Sequence, residues 1–262
     1  MTEHVHVDWE TFHINGEEPI IKNDPIATEY PLTIYVNSNE FATIICSPIH
    51  LQDLIIGFLA SEGILFRADE INRLTIDTDR GFAYVDIRNL GTVSIDHSKR
   101  FIGSCCGKSR QFYFKSDVKT AKTVTNPLKI TVAQCFSLMK QMQSESKSFH
   151  LTGGVHNAAL CTSEKLITIR TDIGRHNALD KIYGHILDEQ ISVRDKVIVF
   201  SGRISSEALL KVAKIGAAIV ISKSAPTDLA LKLADDLGIT TIGFVRNNKM
   251  NIYTHPNRIL EH

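Results

Sequence analysis

Apolar and polar positions alternate between Pro31 and Cys46, where PLTIYVN and EFATIIC flank Asn37-Ser38-Asn39, and this pattern predicts a β-hairpin. Behind it the period changes. Leu51, Leu54, Ile55, Phe58 and Leu59 recur at helical spacing, Ser47-Pro48 reads as an N-cap with proline at the first helical position, and Gly63 reads as the stop. LTID and AYVDI, at Leu74 to Asp77 and Ala83 to Ile87, predict a further strand pair, whereas the first thirty residues read as polar and irregular. After a polar connection, Thr131 and Gln134 form a capping-box signature. Val132, Cys135, Phe136, Met139 and Met142 then share one helix face, which makes Cys135 a core residue.

The C-terminal part has the clearest rhythm. LITIR predicts a strand and DIGRHNALDKIYGHILDEQ a helix with Leu179, Ile182, Tyr183 and Ile186 on its apolar side. From Lys196 onward VIVF, SSEALLKVAKIG, AAIVIS, TDLALKLADDLG and TTIGFV alternate continuous apolar runs with amphipathic ones. That is the pattern of a β-α-β-α-β unit with right-handed crossovers and a parallel sheet covered on both faces. The chain is therefore expected to be an α/β protein. A smaller β-rich part (1–125) precedes an α/β domain (126–262), and the boundary falls between about Thr123 and Thr131.

Composition narrows the function classes. Lys and Arg number 29 and Asp and Glu 29 in 262 residues, so no net field favours nucleic acid or an anionic membrane. The N-terminus lacks the basic and apolar regions of a signal peptide, and no apolar run reaches the roughly 20 residues of a membrane span, so a cytoplasmic location is expected. The cysteines, Cys46, Cys105, Cys106, Cys135 and Cys161, are odd in number and show no disulfide-framework spacing.

Ligands of open parallel sheets lie outside the carboxyl ends of the strands. Three loops are due there: Ser201 to Ser206, Ser222 to Thr227, and Arg246 to Lys249, each with a cation and a hydroxyl or amide. Taken singly, Ser205 and Thr227 would be plain N-caps, and Arg203, Lys223 and Arg246 solvated charges. Taken together, with Ser224 beside Lys223 and with two of the loops feeding helix N-termini, they suit a phosphate or pyrophosphate. His156 follows a Gly-Gly, and Asp172, Arg175, His176 and Asp180 surround the next helix start, so these groups are candidates for the same cleft. A zinc deaminase site is rejected, because the H-x-E pattern meets Ala158 and the chain contains no C-x-x-C.

Ser104-Cys105-Cys106-Gly107-Lys108-Ser109-Arg110 sets thiols among small, polar and cationic residues, and Lys108 and Arg110 would favour the thiolate. Adjacent cysteines have Cα atoms about 3.8 Å apart, so a disulfide between them would be strained. The other reading of this pair is two small half-buried thiols in a turn, but apolar packing partners are missing from the residues around Cys106.

The motifs SCCGKS, TGGVHNAA, DIGRHNALDK, SGRISSE, SKSAPT and GFVRNNKMNIYTH together resemble the formate dehydrogenase accessory sulfurtransferases, the FdhD family, from about Pro31 to the C-terminus. The resemblance implies a fold like that of cytidine deaminases without the zinc, and a cytosolic homodimer. It implies delivery of sulfur to the molybdenum cofactor, as bis-molybdopterin guanine dinucleotide, before insertion into formate dehydrogenase. The sulfur would come from a cysteine desulfurase and travel as a persulfide. The family's persulfide cysteine falls on Cys106, and its cofactor-binding stretch on Phe244, Val245, Arg246, Asn247, Asn248 and Lys249. With the residues of the crevice reading, Arg203, Lys223, Ser224, His156 and His176, these make the expected cofactor site, for which GDP is the expected mimic. Many family members carry C-x-x-C in the cysteine loop; the adjacent pair here leaves Cys105 either a helper or a bystander. The alternative, from a different class, is a chaperone that shelters the cofactor without transferring sulfur.

Overall fold

The computed structural model describes residues 5–16, 18–88, 100–102, 121 and 123–261. Its first departure from the sequence reading lies at the start, where the stretch expected to be irregular forms a hairpin. Strand β1 (His6–His13) pairs antiparallel with β2 (Ile20–Ala27), and Gly16 in the connection takes φ +73°. This hairpin buries little, with Trp9 66% and Phe12 73% exposed, so backbone pairing shapes it more than a hydrophobic face.

The next hairpin is the one the alternation predicts. In β3 (Tyr30–Val36) every second residue, Leu32, Ile34 and Val36, points into the core. Strand β4 (Asn39–Cys46) returns through Asn37 and Ser38, both at positive φ as a tight hairpin turn requires. Helix α1 (Leu51–Ser61) starts later than expected. Ser47 does not cap it; the Ser47 N–H donates to Asp172 and its hydroxyl accepts from the Ile173 N–H, so the chain turns through His50 in the left-handed region before the helix begins. Strands β5 (Ile71–Asp77), β6 (Phe82–Ile87) and β7 (Arg100–Ile102) complete a five-stranded sheet in the order β5-β6-β3-β4-β7.

Strand β8 (Ile130–Thr131) leads into α2 (Val132–Ser144), whose capping box forms in full: the Gln134 N–H donates to Thr131 Oγ1 at 3.1 Å and the Thr131 N–H to Gln134 Oε1 at 2.8 Å. Cys135, Leu138, Met139 and Met142 are its buried face. A short helix α3 (Lys147–Thr152) precedes β9 (His156–Cys161), β10 (Leu166–Asp172) and α4 (Arg175–Asp188). The rest alternates as read: β11 (Val197–Phe200), α5 (Ser206–Ile215), β12 (Ile219–Ser222), α6 (Asp228–Leu237) and β13 (Thr240–Arg246). The chain then folds back as β14 (Lys249–Ile252), and β15 (Ile259–Leu260) pairs with β8.

The second sheet runs β10-β9-β11-β12-β13-β14. Its centre, β11-β12-β13, is parallel as expected. The flanks are not: β9 runs antiparallel to β11 and to β10, and β14 antiparallel to β13. Helix α2 lies against β9 to β13, while α4, α5 and α6 pack side by side on the sheet's other face. Helix α1 packs on α4 and joins the five-stranded sheet to this layer, and one hydrophobic core runs continuously from Leu32 to Val245. Among the described residues no helix is long and apolar enough to cross a membrane.

Candidate functional site

Because β11, β12 and β13 are parallel, their carboxyl ends share one edge of the sheet, and the antiparallel β9 begins there. A row of hydrogen bonds runs along that edge. The Ser201 N–H donates to the Asn157 carbonyl and the Asn157 N–H to Ser201 Oγ, each at 2.9 Å. Ser224 Oγ donates to the Ser201 carbonyl at 2.9 Å, and the Phe244 N–H to the Ser224 carbonyl at 3.2 Å. The structure thus brings His156, the Ser201–Arg203 turn, Lys223, Ser224 and Phe244 to one edge. Ser224 holds the loops together with its hydroxyl, and Arg203 and Lys223 stand exposed beside it. Gly202 has to be glycine: a Cβ there would meet the Phe200 ring at 2.7 Å and Arg175 Cβ at 3.1 Å.

The edge ends in the β13–β14 hairpin. Gly243 passes so close to Pro226 and the Ser224 carbonyl that a Cβ would lie 3.1 Å from each, and the register with β14 shifts just beyond it. Phe244 takes φ +56° at this irregularity, and Asn247 and Asn248 take φ 50° and 55° in the turn. The Arg246 guanidinium lies 5.7 Å from the centroid of the Phe244 ring. Phe244, Arg246, Asn247, Lys249, Met250 and Asn251 line an open depression of about 610 Å³. Val245 is 1% exposed, so its side chain belongs to the core and only its backbone can face a ligand. Met250 and Asn251 were not among the expected residues; they lie on the returning strand β14, which the sequence reading did not separate from the loop. Two cations, an aromatic face and amide groups on one rim suit a ligand with a planar base and phosphates.

The helix N-termini contribute less to anion binding than the sequence suggests. Ser205 Oγ already accepts the Ala208 N–H at 3.4 Å, and acidic side chains occupy both first turns, Glu207 on α5 and Asp228 on α6. Each acid meets the helix dipole that would otherwise attract an anion. The attraction at this edge therefore rests on Arg203, Lys223, Arg246 and Lys249.

His176 Nε2 lies 3.5 Å from Ser205 Oγ and 3.4 Å from Glu207 Oε2. Burial pushes its pKa down to about 3, and Lys211, Arg175 and His156 add to the effect. His156 is also lowered, by burial and then by Arg175, against the opposing pull of Asp172. Both imidazoles thus stand at the edge as neutral hydrogen-bonding groups. Asp172 and Asp180, also candidates for the cleft, are elsewhere: both are buried, Asp172 paired with Lys181 at 2.7 Å and Asp180 with Lys211 at 2.6 Å. They are internal ion pairs, and no ligand reaches them.

Cys46, Cys135 and Cys161 are buried, and burial pushes each thiol up to about 12. None of these three is a nucleophile near neutral pH. Cys105 and Cys106, with Lys108 and Arg110, lie outside the described residues. Strand β7 ends at Ile102, level with Ile44 on β4, three residues before Ser47.

The comparisons with known proteins agree with one another. Residues 27–260 match the model of the FdhD/NarQ family. A relative from Bacillus licheniformis, named sulfur carrier protein FdhD, is 56% identical over 260 residues, covering 99% of each chain. A relative of the same name from Bacillus subtilis is 61% identical over 239 residues, 91% of each. Among solved structures, a formate dehydrogenase accessory protein from Desulfotalea psychrophila superposes with a TM-score of 0.80 at 25% identity, covering 98% of this chain and 100% of the other.

Proposed function

Because the chain belongs to the FdhD/NarQ family, we propose that it is a sulfur carrier for formate dehydrogenase, that Cys106 bears the sulfur, and that the strand-end edge holds the cofactor receiving it. The observation that carries this reading is the inertness of Cys46, Cys135 and Cys161, which leaves reactive sulfur chemistry to the Cys105-Cys106 pair beside Lys108 and Arg110.

The chemistry is exchange at sulfur. The Cys106 thiolate attacks the outer sulfur of a cysteine desulfurase persulfide; one S–S bond forms as another breaks, and the desulfurase cysteine departs as thiolate. Delivery breaks the new S–S bond. Cys106 leaves with its electron pair, so the acceptor supplies both electrons of its bond to the transferred atom. The acceptor is bis-molybdopterin guanine dinucleotide molybdenum cofactor, bound as substrate before insertion into formate dehydrogenase. Its guanosine diphosphate ends suit the hairpin depression: Phe244 offers a stacking face for a base, and Arg246, Lys249, Arg203 and Lys223 meet phosphates. His156 and His176, uncharged, orient groups by hydrogen bonds and add no positive charge. The same family reading includes a cytidine-deaminase-like core, a homodimer and a cytoplasmic location.

Intact mass spectrometry after incubation with a cysteine desulfurase and cysteine tests the carrier role. The expected result is a gain of one sulfur that maps to Cys106. A chaperone that only shelters the cofactor would gain none, and Cys106→Ala would still restore formate dehydrogenase activity in cells lacking the native protein.

A further inference from the structure

A buried polar cluster joins the end of β4, in the five-stranded sheet, to the end of β10 and the turn into α4. Ser47, Asp172 and Lys181 are each fully buried, and Asn177 is nearly so. Lys181 Nζ is 2.7 Å from Asp172 Oδ2 and donates to the carbonyls of Ser47 and Thr171 at 3.1 and 3.2 Å. Asp172 accepts from the N–H groups of Ser47 at 3.0 Å and Gly174 at 2.8 Å, and from Asn177 Nδ2 at 2.9 Å. Ser47 Oγ accepts the Ile173 N–H at 3.1 Å, and Asn177 Nδ2 also donates to the Ile45 carbonyl at 2.9 Å.

These bonds grip backbone on both sides: Ile45 and Ser47 at the end of β4, and Thr171, Ile173 and Gly174 just before Arg175 and His176. Strand β7, the last described segment before the cysteines, is registered on β4 at Ala42 to Ile44. Stability alone does not call for such a cluster, since apolar residues of the same volume replace buried ion pairs at little or no loss. Apolar contact is also non-directional, whereas each of these bonds fixes a backbone atom.

We infer that the Ser47–Asp172–Asn177–Lys181 cluster is a positioning device, which locks the end of β4, and with it β7, against the Ile173–His176 turn at the crevice. It thereby sets where the chain leading to Cys106 starts relative to the bound cofactor. The inference rests on the sulfur-carrier reading and concerns geometry within it.

Ser47→Ala and Asn177→Ala each cut one cross-connection and leave the ion pair in place. Full-length wild type and both variants are loaded with radiolabelled sulfur by a cysteine desulfurase. Three quantities are compared: label taken up, label released to dithiothreitol, and activation of formate dehydrogenase. Uptake and release should match wild type in both variants. Activation should fall roughly ten-fold, in keeping with the up to about hundred-fold cost of ~1 Å misplacement of reacting groups. Equal activation in variants and wild type would overturn the inference. So would a parallel fall of all three quantities, or failure of both variants to fold, since either makes the cluster a stability element only. Wild type that takes up no sulfur at Cys106 would instead refute the carrier reading itself.

Discussion

Gly57 of α1 and Gly184 of α4 face each other across a crossing with no room for a side chain: a Cβ on Gly57 would stand 1.8 Å from the Asp180 carbonyl oxygen, and one on Gly184 1.9 Å from that of Asp53. Polar bonds flank the contact. Arg170 Nε reaches Asp53 at 2.6 Å, and Ser61 Oγ and Lys211 Nζ each reach Asp180 Oδ1 at 2.6 Å. Backbone contact of this kind, closed at both ends by buried charge, leaves the two helices no alternative packing to slide into. The helix layer is thereby a fixed frame beneath the strand-end edge.

Gly57→Ala should be severely destabilising, because the added methyl meets main chain, which cannot rotate away. The expected loss is at least about 3 kcal/mol, a fall in melting temperature of roughly 6–12 °C for a chain of this size. Thermal denaturation followed by circular dichroism measures it, and a melting point within about 2 °C of wild type would contradict the crossing geometry.

What the sequence conveyed and what it hid follow from how each contact is encoded. The 31–46 hairpin, α2 with its capping box, and the β11 to β13 alternation were legible because each depends on neighbours close in the chain. The 6–27 hairpin was not, since its apolar residues fall on both faces and Pro25 interrupts β2. Strand direction in the second sheet was also hidden; NAALC reads alike whether β9 runs with β11 or against it. The placement of Arg203, Lys223, Arg246 and Lys249 in loops at the strand ends was legible from the alternation of strands and helices. Asp172 and Asp180 were misread as cleft groups because their partners are remote: Ser47 is 125 residues from Asp172, and Ser61 is 119 from Asp180. A buried ion pair and a site carboxylate look the same until the fold supplies the partner.

His176 should make the protein acid-sensitive. The folded chain binds its proton only near pH 3, whereas an unfolded histidine binds it at about 6.5, so between those values the unfolded state holds more protons and stability falls as pH falls. At about pH 5 this amounts to about 2 kcal/mol, and the effect vanishes above the unfolded value, where both states are neutral. Lys211, Arg175, His156 and Glu207 face the ring; burial is the main cause of the downward shift, and Lys211, Arg175 and His156 add to it. Urea midpoints at about pH 7.5 and about pH 5 should differ more for wild type than for His176→Gln. His50, lowered to about 4 by burial and then by Arg170, works in the same direction in both proteins and cancels from the comparison.

Guanine nucleotide should bind at the β13–β14 hairpin. Arg246 both lies over the Phe244 ring and faces the depression, so Arg246→Ala removes a cation and frees the ring it covers. Calorimetry with GDP should show at least about ten-fold weaker binding, as loss of a charge-assisted contact worth about 1.5–3 kcal/mol requires. Lys140→Ala is the control, since it removes an exposed cation from α2, outside the hairpin. Equal affinity in the two variants would remove the hairpin from the cofactor site.

The cysteines should separate into three inert thiols and a reactive pair, with Cys106 first. A thiol held up at about 12 has almost no thiolate near neutral pH, and Cys46, Cys135 and Cys161 are also buried from reagent, so iodoacetamide should leave all three unmodified in folded protein. Cys106 precedes a glycine and is nearer Lys108 in the chain than Cys105 is, which favours its thiolate and its access to reagent. In an extended segment successive side chains point to opposite sides, so the two thiols would not present to one ligand together. Limited alkylation near neutral pH, followed by peptide mass mapping, should therefore find label on Cys106 before Cys105. Cys105→Ala should keep much of the formate dehydrogenase activation that Cys106→Ala loses. The reverse order of labelling, with the reverse pattern of activity, would move the persulfide to Cys105 and leave the carrier chemistry intact; labelling of Cys46, Cys135 or Cys161 at a comparable rate would contradict their burial and the elimination built on it.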